Sequence, residues 1–285
     1  MKQFIAFLLI IFLAINTQQL VAGERVPKGK LFIIGGGSRS DAMVNRLIDE
    51  ASLRKKGYVF ILPMASEAPD SAIIWSGEQF IRNGIKKVTG FDFQAGELPG
   101  KQLLDSLQNA SLIYICGGDQ SRFMKSVSGS PVFDAIHTAF RNGAVIAGTS
   151  AGAAVMSKKM ITGNELRNPQ YNETFKCIET GNIEYADGLG LLTTAIIDQH
   201  FVKRSRYNRL ITSVLENPEL PGIGIDESTA ILVKGNTAEV VGESQVIVFR
   251  NKSKSTKRQG NKMGANHIQL EIYLPGEKFS ISKSN

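Results

Sequence analysis

The stretch "AVIAGTSAGAAVM", residues 144–156, places a polar serine between small residues where a short apolar run changes to helix-like spacing. The apolar run before it is typical of a buried strand. Residues 148–152, "GTSAG", have the form G-x-S-x-G, in which small neighbours allow a sharp turn and leave the serine hydroxyl exposed. The stretch predicts a strand–turn–helix unit with Ser150 at its tip, although a glycine-rich turn with a capping serine has the same pattern.

Strand-length apolar runs and helix-like segments alternate on both sides of this stretch. The runs occupy residues 30–38, 58–66, 112–120, 143–152, 195–201 and 222–230. The helix-like segments occupy residues 40–55, 71–84, 130–143 and 205–217. Continuous apolar runs are typical of strands that are covered on both faces. The alternation predicts an α/β fold, a three-layer sandwich with a mostly parallel sheet.

Two regions depart from this alternation. Beyond residue 227 the pattern indicates hairpin strands, with turns at 235–236 and 242–243. We interpret residues 228–285, approximately, as a C-terminal β extension of the same domain. The segment 158–188 shows little periodicity, and it is typical of a long loop over the sheet edge.

The N-terminus has the pattern of an export signal. Lys2 precedes an apolar run from Phe4 to Ile15, which is shorter than the roughly 20 apolar residues of a membrane span. We therefore predict a signal peptide over residues 1–22, cleaved near Ala22, an exported (periplasmic or extracellular) protein and no stable membrane span. An uncleaved N-terminal anchor is the alternative. Residues 23–285 are expected to form a single domain.

The formal net charge of +7 comes largely from a basic segment near the C-terminus, and such a run is typical of a solvated loop. No nucleic-acid partner is therefore expected. The glycines of "IGGGSRS" lack the spacing of a phosphate-binding loop, and no residue spacing suggests a metal, so no cofactor is expected. The sequence does not decide whether Cys116 and Cys177 form a disulfide in an exported protein.

A serine hydroxyl needs a base to attack at neutral pH. The chain has three histidines. His137 lies at helical spacing and His267 in the terminal β segment, whereas we expect His200 at the tip of a central strand. Because ligands bind beyond the carboxyl ends of parallel strands, His200 is the candidate base.

The candidate base needs a carboxylate to orient its imidazole. Glu227 and Asp226 end the run that begins at residue 222, and the spacing favours neither of them. Adjacent strand residues point to opposite faces, so only one of the two should face the histidine. Asp198 is a third candidate, although its position two residues before the histidine suits a contact with substrate or backbone.

Other polar groups of the same sheet edge suit acyl transfer. The backbone N–H groups of Gly118 and Ala151 could form an oxyanion hole. Three arginines follow the candidate histidine, namely Arg204, Arg206 and Arg209. Guanidinium groups near a nucleophile suggest carboxylates on the substrate, and salt bridges that anchor the helix are the alternative.

Five motifs of this chain resemble those of the serine peptidases of the cyanophycinase and aspartyl dipeptidase family. They are "IIGGG", "ICGGDQ", "GTSAGAAVM", "DQHFVKRSRYNRL" and "GIGIDESTA". The resemblance covers roughly residues 30–250 and implies a sheet similar to that of class I glutamine amidotransferases. It implies Ser150 as nucleophile, His200 as base and Glu227 as the third member of the triad. It also implies substrate-binding roles for Gln120, Asp198, Gln199, Arg204, Arg206 and Arg209.

The resemblance further implies the substrate and the assembly. The substrate would be cyanophycin (multi-L-arginyl-poly-L-aspartate), a polyaspartate backbone with arginine amide-linked to each side chain. The expected activity is that of a secreted serine exopeptidase that releases β-aspartyl-arginine dipeptides, and the expected assembly is a homodimer. An aspartyl dipeptidase that acts on short Asp-X peptides is one alternative. A catalytically silent surface protein that binds acidic polymers is another.

Overall fold

The computed structural model of the protein describes residues 27–170 and 174–282, so the predicted signal peptide lies outside the described residues. The helices are α1 (Asp41–Glu50), α2 (Pro69–Arg82), α3 (Lys101–Gln108), α4 (Gln120–Val127), α5 (Pro131–Asn142), α6 (Ala151–Ala154) and α7 (Tyr207–Glu216). The first eight strands are β1 (Lys30–Ile34), β2 (Val59–Leu62), β3 (Val88–Gly90), β4 (Leu112–Ile115), β5 (Val145–Thr149), β6 (Lys159–Glu165), β7 (Ile183–Asp187) and β8 (Ile196–Gln199). The later strands are β9 (Gly222–Ile225), β10 (Thr229–Lys234), β11 (Thr237–Gly242), β12 (Val246–Asn251), β13 (Lys257–Gln259), β14 (Lys262–Gly264), β15 (Ile268–Tyr273) and β16 (Lys278–Ser280).

An eight-stranded main sheet forms the centre of the fold, with the order β16-β11-β10-β1-β5-β4-β2-β3. Strands β1, β5, β4, β2 and β3 pair in parallel, and β10, β11 and β16 complete one side in antiparallel pairing. The mixed α/β architecture with a large, mostly parallel sheet is therefore confirmed.

Both faces of the main sheet are buried, as the continuous apolar runs predict. Phe32 and Ile34 of β1 pack with the apolar residues of α1 and α2. Leu31 and Ile33, which alternate with them, pack on the other face with residues of α3, α4 and α5. Because successive strand residues point to opposite faces, one strand contributes to both hydrophobic clusters.

A second, four-stranded sheet has the order β15-β12-β9-β8 and packs against α7. Its residues Ile197, Ile223 and Val248 contact the hydrophobic cluster on one face of the main sheet. We expected His200 at the tip of a central strand of one sheet, and this was wrong, because β8 is the edge strand of the second sheet. The apolar run shows that β8 is covered on both faces, but it does not indicate which sheet the strand joins.

The C-terminal strands are divided between the two sheets. The turn at 235–236 joins β10 and β11 as the predicted hairpin. The expected hairpin at 242–243 is wrong, because β11 pairs in the main sheet whereas β12 pairs with β9 and β15. Residues 226–228 make the opposite crossing, from β9 to β10, and this crossing brings part of the second sheet to the candidate site.

The segment 158–188, expected as a loop, contains the antiparallel hairpin β6–β7. Its strand register shifts between Ile161 and Glu165, and Gly163 has φ +104° within that shift. A bulge of this kind breaks the period-2 alternation, which explains why the sequence pattern did not show the strands. No helix of the described residues is long and apolar enough to cross a membrane.

Candidate active site

Ser150 lies in the sharp turn between β5 and α6, at φ 55° and ψ −112°. Its N–H donates to the Ile34 carbonyl oxygen at 3.0 Å, which fixes the turn against β1. A Cβ atom on Gly148 would overlap the Gly152 carbonyl oxygen, and one on Gly152 would overlap the Ile115 carbonyl oxygen. Only glycine therefore fits at both ends of the turn, and we call residues 148–152 the elbow.

His200 follows β8 and adopts a left-handed backbone conformation with φ 50°. Its N–H donates to the Gly35 carbonyl oxygen at 2.7 Å, so the glycine turn after β1 holds the histidine backbone. Its Nε2 atom lies 2.8 Å from Ser150 Oγ. The imidazole and the hydroxyl, which belong to different sheets, are therefore in direct hydrogen-bond contact.

The crossing from β9 to β10 supplies the carboxylate. Glu227 Oε1 lies 2.6 Å from Nδ1 of His200. Asp226 is occupied elsewhere, because its Oδ1 accepts from the Lys203 N–H at 2.9 Å and its Oδ2 accepts from Ser244 Oγ at 2.7 Å. The structure thus separates the two carboxylates that the spacing left equivalent.

Burial lowers the pKa of His200 below its usual range, and the nearby Arg204 and Arg206 act in the same direction. The hydrogen bond with Glu227 opposes this shift and raises the pKa. A neutral imidazole with Nδ1 facing a carboxylate keeps Nε2 free to accept a proton. The arrangement can therefore activate a serine hydroxyl for nucleophilic attack on a carbonyl carbon.

The backbone next to Ser150 offers N–H donors. The Cβ position of Gly117 would lie 3.3 Å from Cβ of Ser150, so the turn after β4 lies against the elbow. Neither Gly118 nor Ala151 donates its N–H to a hydrogen-bond acceptor within the described part of the chain. Backbone N–H groups so placed suit an oxyanion hole.

The residues around His200 that we predicted to bind substrate form a buried network. Asp198 is 1% exposed, and its Oδ2 accepts from Arg209 Nε at 2.9 Å. Arg206 Nη1 donates to the Gln199 carbonyl oxygen at 2.8 Å. Asp198 and Gln199 thus hold the two guanidinium groups in fixed positions, as the helix-anchoring interpretation expects, and the substrate-binding role of these arginines stays a prediction.

Gln120 connects this network to the β6–β7 hairpin. Its side chain is buried, and Nε2 donates to the Ile161 carbonyl oxygen at 3.1 Å. On the other side of the hairpin, the ring of Phe175 lies 5.7 Å from the guanidinium of Arg209. Asn208 Nδ2 donates to the Phe175 carbonyl oxygen at 2.8 Å. Sequence reasoning missed both residues. Phe175 lies in a segment with no periodic signal and no motif, whereas Asn208 lies within the motif "DQHFVKRSRYNRL" but its contact with Phe175 joins segments far apart in the sequence.

Within the described residues, no hydrogen bond joins the side chains of the other histidines or the cysteines to the triad. His137 Nε2 lies 2.8 Å from the Leu189 carbonyl oxygen, and its ring packs on Phe133, as in a structural histidine. Cys116 and Cys177 are free thiols. The described residues contain no group of three or more His, Cys, Asp or Glu side chains arranged to hold a metal ion.

Comparison with known proteins agrees with this geometry. The model of the family "Peptidase family S51" matches residues 31–241. The chain is 35% identical over 242 residues to a cyanophycinase of Trichormus variabilis, with 79% of this chain and 76% of that protein covered. It is 27% identical over 161 residues to a peptidase E of Actinobacillus pleuropneumoniae, with 54% of this chain and 63% of that protein covered.

A solved structure of a peptidase from an acI-B1 Actinobacterium has a similar fold, with a TM-score of 0.61 at 20% identity. The likeness covers 88% of this chain and 96% of that chain. At this identity it supports the fold alone, and the family follows from the match of the family model and the similarity to the cyanophycinase. The chain belongs to peptidase family S51 and is a serine-type peptidase.

Proposed function

We propose that the protein is a secreted serine exopeptidase that hydrolyses cyanophycin to β-aspartyl-arginine dipeptides. One observation carries the proposal: Ser150, His200 and Glu227 are linked by contacts of 2.8 and 2.6 Å on an elbow of a chain similar to a cyanophycinase. Ser150 is the proposed nucleophile, His200 the base and Glu227 the residue that orients it.

The reaction would follow acyl-transfer chemistry. Ser150 Oγ attacks the aspartyl carbonyl carbon while His200 Nε2 accepts the hydroxyl proton. The N–H groups of Gly118 and Ala151 donate to the oxyanion of the tetrahedral intermediate. His200 then gives the proton to the leaving amine, and a water molecule repeats the sequence on the acyl-enzyme, which releases the product and restores the hydroxyl.

The charge around the site supports an acidic substrate. Arg204, Arg206 and Arg209 belong to the segment that follows His200, and the last two are held rigidly by Gln199 and Asp198. Arg206 and Arg209 are buried and Arg209 pairs with Asp198, so the half-buried Arg204 is the arginine most accessible to the carboxylates of a polyaspartate chain. Burial lowers the pKa of His200, and the charges of Arg204 and Arg206 lower it further, which favours a neutral base.

Three finer parts of the proposal rest on sequence and resemblance. Export rests on the signal-like pattern of residues 1–22. The homodimer and the likeness of the sheet to class I glutamine amidotransferases rest on the family resemblance. N-terminal sequencing of the protein from the exported fraction tests the first, and sedimentation equilibrium tests the dimer.

The direct test incubates the purified mature protein with cyanophycin and identifies the products by mass spectrometry. We expect the β-aspartyl-arginine dipeptide as the main product, and no product from the Ser150→Ala variant. Undegraded polymer after incubation with the native chain would refute the proposed substrate.

A dipeptidase of short Asp-X peptides is the second candidate, and the similarity to peptidase E favours it. Both activities would use the same three residues, so the geometry of the triad does not separate them. Comparison of kcat/KM for cyanophycin and for free Asp-X dipeptides separates the two activities. A preference for the polymer supports the first proposal, and a preference for free dipeptides supports the second.

A further inference from the structure

A cavity of about 660 Å³ lies beside the β6–β7 hairpin, outside the contacts of the triad. Its lining includes Glu165 at the end of β6, and Arg167, Lys176 and Cys177 in the segments that connect β6 with β7. The proposed mechanism uses none of these residues. The volume is within the range of small-molecule sites, roughly 300–1,000 Å³.

The cavity contains a buried carboxylate. Glu165 is 8% exposed, and its Oε1 accepts from Asn182 Nδ2 at 2.7 Å. No lysine, arginine or histidine of the described residues forms an ion pair with it. A carboxylate can accept about four hydrogen bonds, and a buried one is stable when further donors or a cation reach it. Glu165 therefore has acceptor capacity for a cationic ligand group.

Cationic side chains lie at the surface of the same cavity. Arg167 is exposed, and its Nε donates to the Thr180 carbonyl oxygen at 3.1 Å. Lys176 is exposed as well. The cavity thus presents a negative group in its interior and positive groups at its opening, which suits a ligand with charges of both signs at its two ends.

The cavity lies near residues of the proposed substrate site. The Cβ position of Gly163 lies 3.7 Å from Gln120 Nε2 and 3.9 Å from Arg209 Nη1. Glu165 follows two residues later, about 7 Å further along an extended strand. On the other side, Lys176 directly follows Phe175, whose ring packs on Arg209. Residues next to the cavity lining on both sides thus contact Gln120 or Arg209, which places the cavity beside the proposed substrate site.

We propose that this cavity binds an arginyl side chain of the polymer, with the guanidinium at Glu165 and the free carboxylate at Lys176 and Arg167. The inference rests on the proposed function. Arginine that is linked through its α-amino group keeps a guanidinium at one end and a carboxylate at the other, and these match the two ends of the cavity. A site for polyaspartate alone would not bury a carboxylate.

Paired variants and paired substrates test this assignment. Glu165→Gln keeps the size of the side chain and the acceptor for Asn182 but removes the charge. Glu179→Gln makes the same change in the same segment, outside the lining of the cavity. The substrates are a short β-aspartyl-arginine oligomer and its citrulline analogue, in which a neutral urea replaces the guanidinium.

We expect the native chain to prefer the arginine oligomer at least about tenfold in kcat/KM, because a charge-assisted hydrogen bond contributes that much. Glu165→Gln should remove the preference through a higher KM for the arginine oligomer. The kcat for the arginine oligomer, and both kcat and KM for the citrulline oligomer, should change less than about twofold. Glu179→Gln should behave as the native chain does. If Glu165→Gln keeps the native preference while the native chain is active, the cavity proposal is wrong and the proposed function stands.

A binding measurement that needs no turnover completes the test. Cys177 lines the cavity, so a bound arginine oligomer should slow its alkylation by a maleimide at least about tenfold in the Ser150→Ala variant. Cys116 is an internal control, because burial raises the pKa of its thiol to about 11 and it should stay unlabelled. Protection without hydrolysis by the native chain would uphold the cavity and refute the proposed function. Equal alkylation rates with and without the oligomer would overturn the cavity assignment.

Discussion

The elbow (residues 148–152) and the β6–β7 hairpin (described over residues 159–170 and 174–187) both belong to the candidate site, but they are held in different ways. In the elbow, the backbones pack so closely that Gly148 and Gly152 leave no space for a Cβ atom. The hairpin packs through apolar residues such as Ile161 and Ile183, and side-chain hydrogen bonds from Gln120 and Asn208 add to this attachment. From this comparison we propose that the chemical step depends on a sterically fixed backbone and that substrate selection depends on contacts that single substitutions can adjust.

The largest effect is expected at the tip of the elbow. Ser150→Ala removes the proposed nucleophile, and kcat/KM for cyanophycin should fall at least about 10⁴-fold. The melting temperature should change by no more than a few degrees, because the hydroxyl supports chemistry and not packing. A variant that keeps more than a tenth of the native rate would contradict the role of Ser150.

The second effect concerns the residue that orients the base. Glu227→Gln keeps the shape of the side chain but removes its charge, and kcat should fall about 10²- to 10⁴-fold. Asp226→Asn is the matched control. It weakens the contact with the Lys203 N–H and should lower kcat much less. If the two variants lose equal activity, the distinction between the adjacent carboxylates is incorrect.

Glycine substitutions compare the two regions directly. Gly148→Ala should lower the free energy of unfolding by more than about 3 kcal/mol, because the new Cβ overlaps a carbonyl oxygen. Gly181→Ala, in the connection between β6 and β7, should cost only about 1–2 kcal/mol, the strain of its φ of +64°, because no atom lies within 4 Å of the new Cβ. Chemical denaturation measures both decreases in the free energy of unfolding. Similar decreases for the two variants would show that the elbow is no more sterically fixed than the hairpin.

The hairpin can be loosened at one hydrogen bond. Asn208→Ala removes the donor to Phe175 and should raise KM for the polymer about fivefold, the effect of roughly 1 kcal/mol, with kcat nearly unchanged. Asn164→Ala is the control, since Asn164 Nδ2 donates to Glu184 on the exposed side of the hairpin. Steady-state kinetics should show native KM for the control, and a loss of kcat at Asn208 would show that the hairpin supports the chemical step.

The smallest effect is a shift in pH dependence. The base must be neutral to accept a proton, and burial lowers the pKa of His200. Activity should therefore persist below pH 6.5, and the acidic limb of kcat/KM should have its midpoint below that value. Glu227→Gln removes a contact that raises this pKa, so its residual activity should extend to still lower pH. A midpoint above pH 6.5 in the native chain would contradict the electrostatic account.

The two regions also differ in what the sequence could predict. The elbow is a local feature, in which an apolar run, two glycines and a serine suffice to indicate the turn. Predicting the contact of His200 with Ser150 also required the positions of the strand ends. Choosing Glu227 over Asp226 from the structure required the crossing from β9 to β10 between the two sheets. The hairpin stayed hidden because its bulge at Gly163 removes the alternation and its partners Gln120, Asn208 and Arg209 lie far away in the sequence.

The most direct test of the central claim is covalent labelling of the native protein with a fluorophosphonate, followed by peptide mapping. The account predicts a single adduct on Ser150, and its loss in His200→Gln, because the hydroxyl reacts only when the imidazole accepts its proton. An adduct on another serine, or equal labelling of Ser150 without His200, would contradict it.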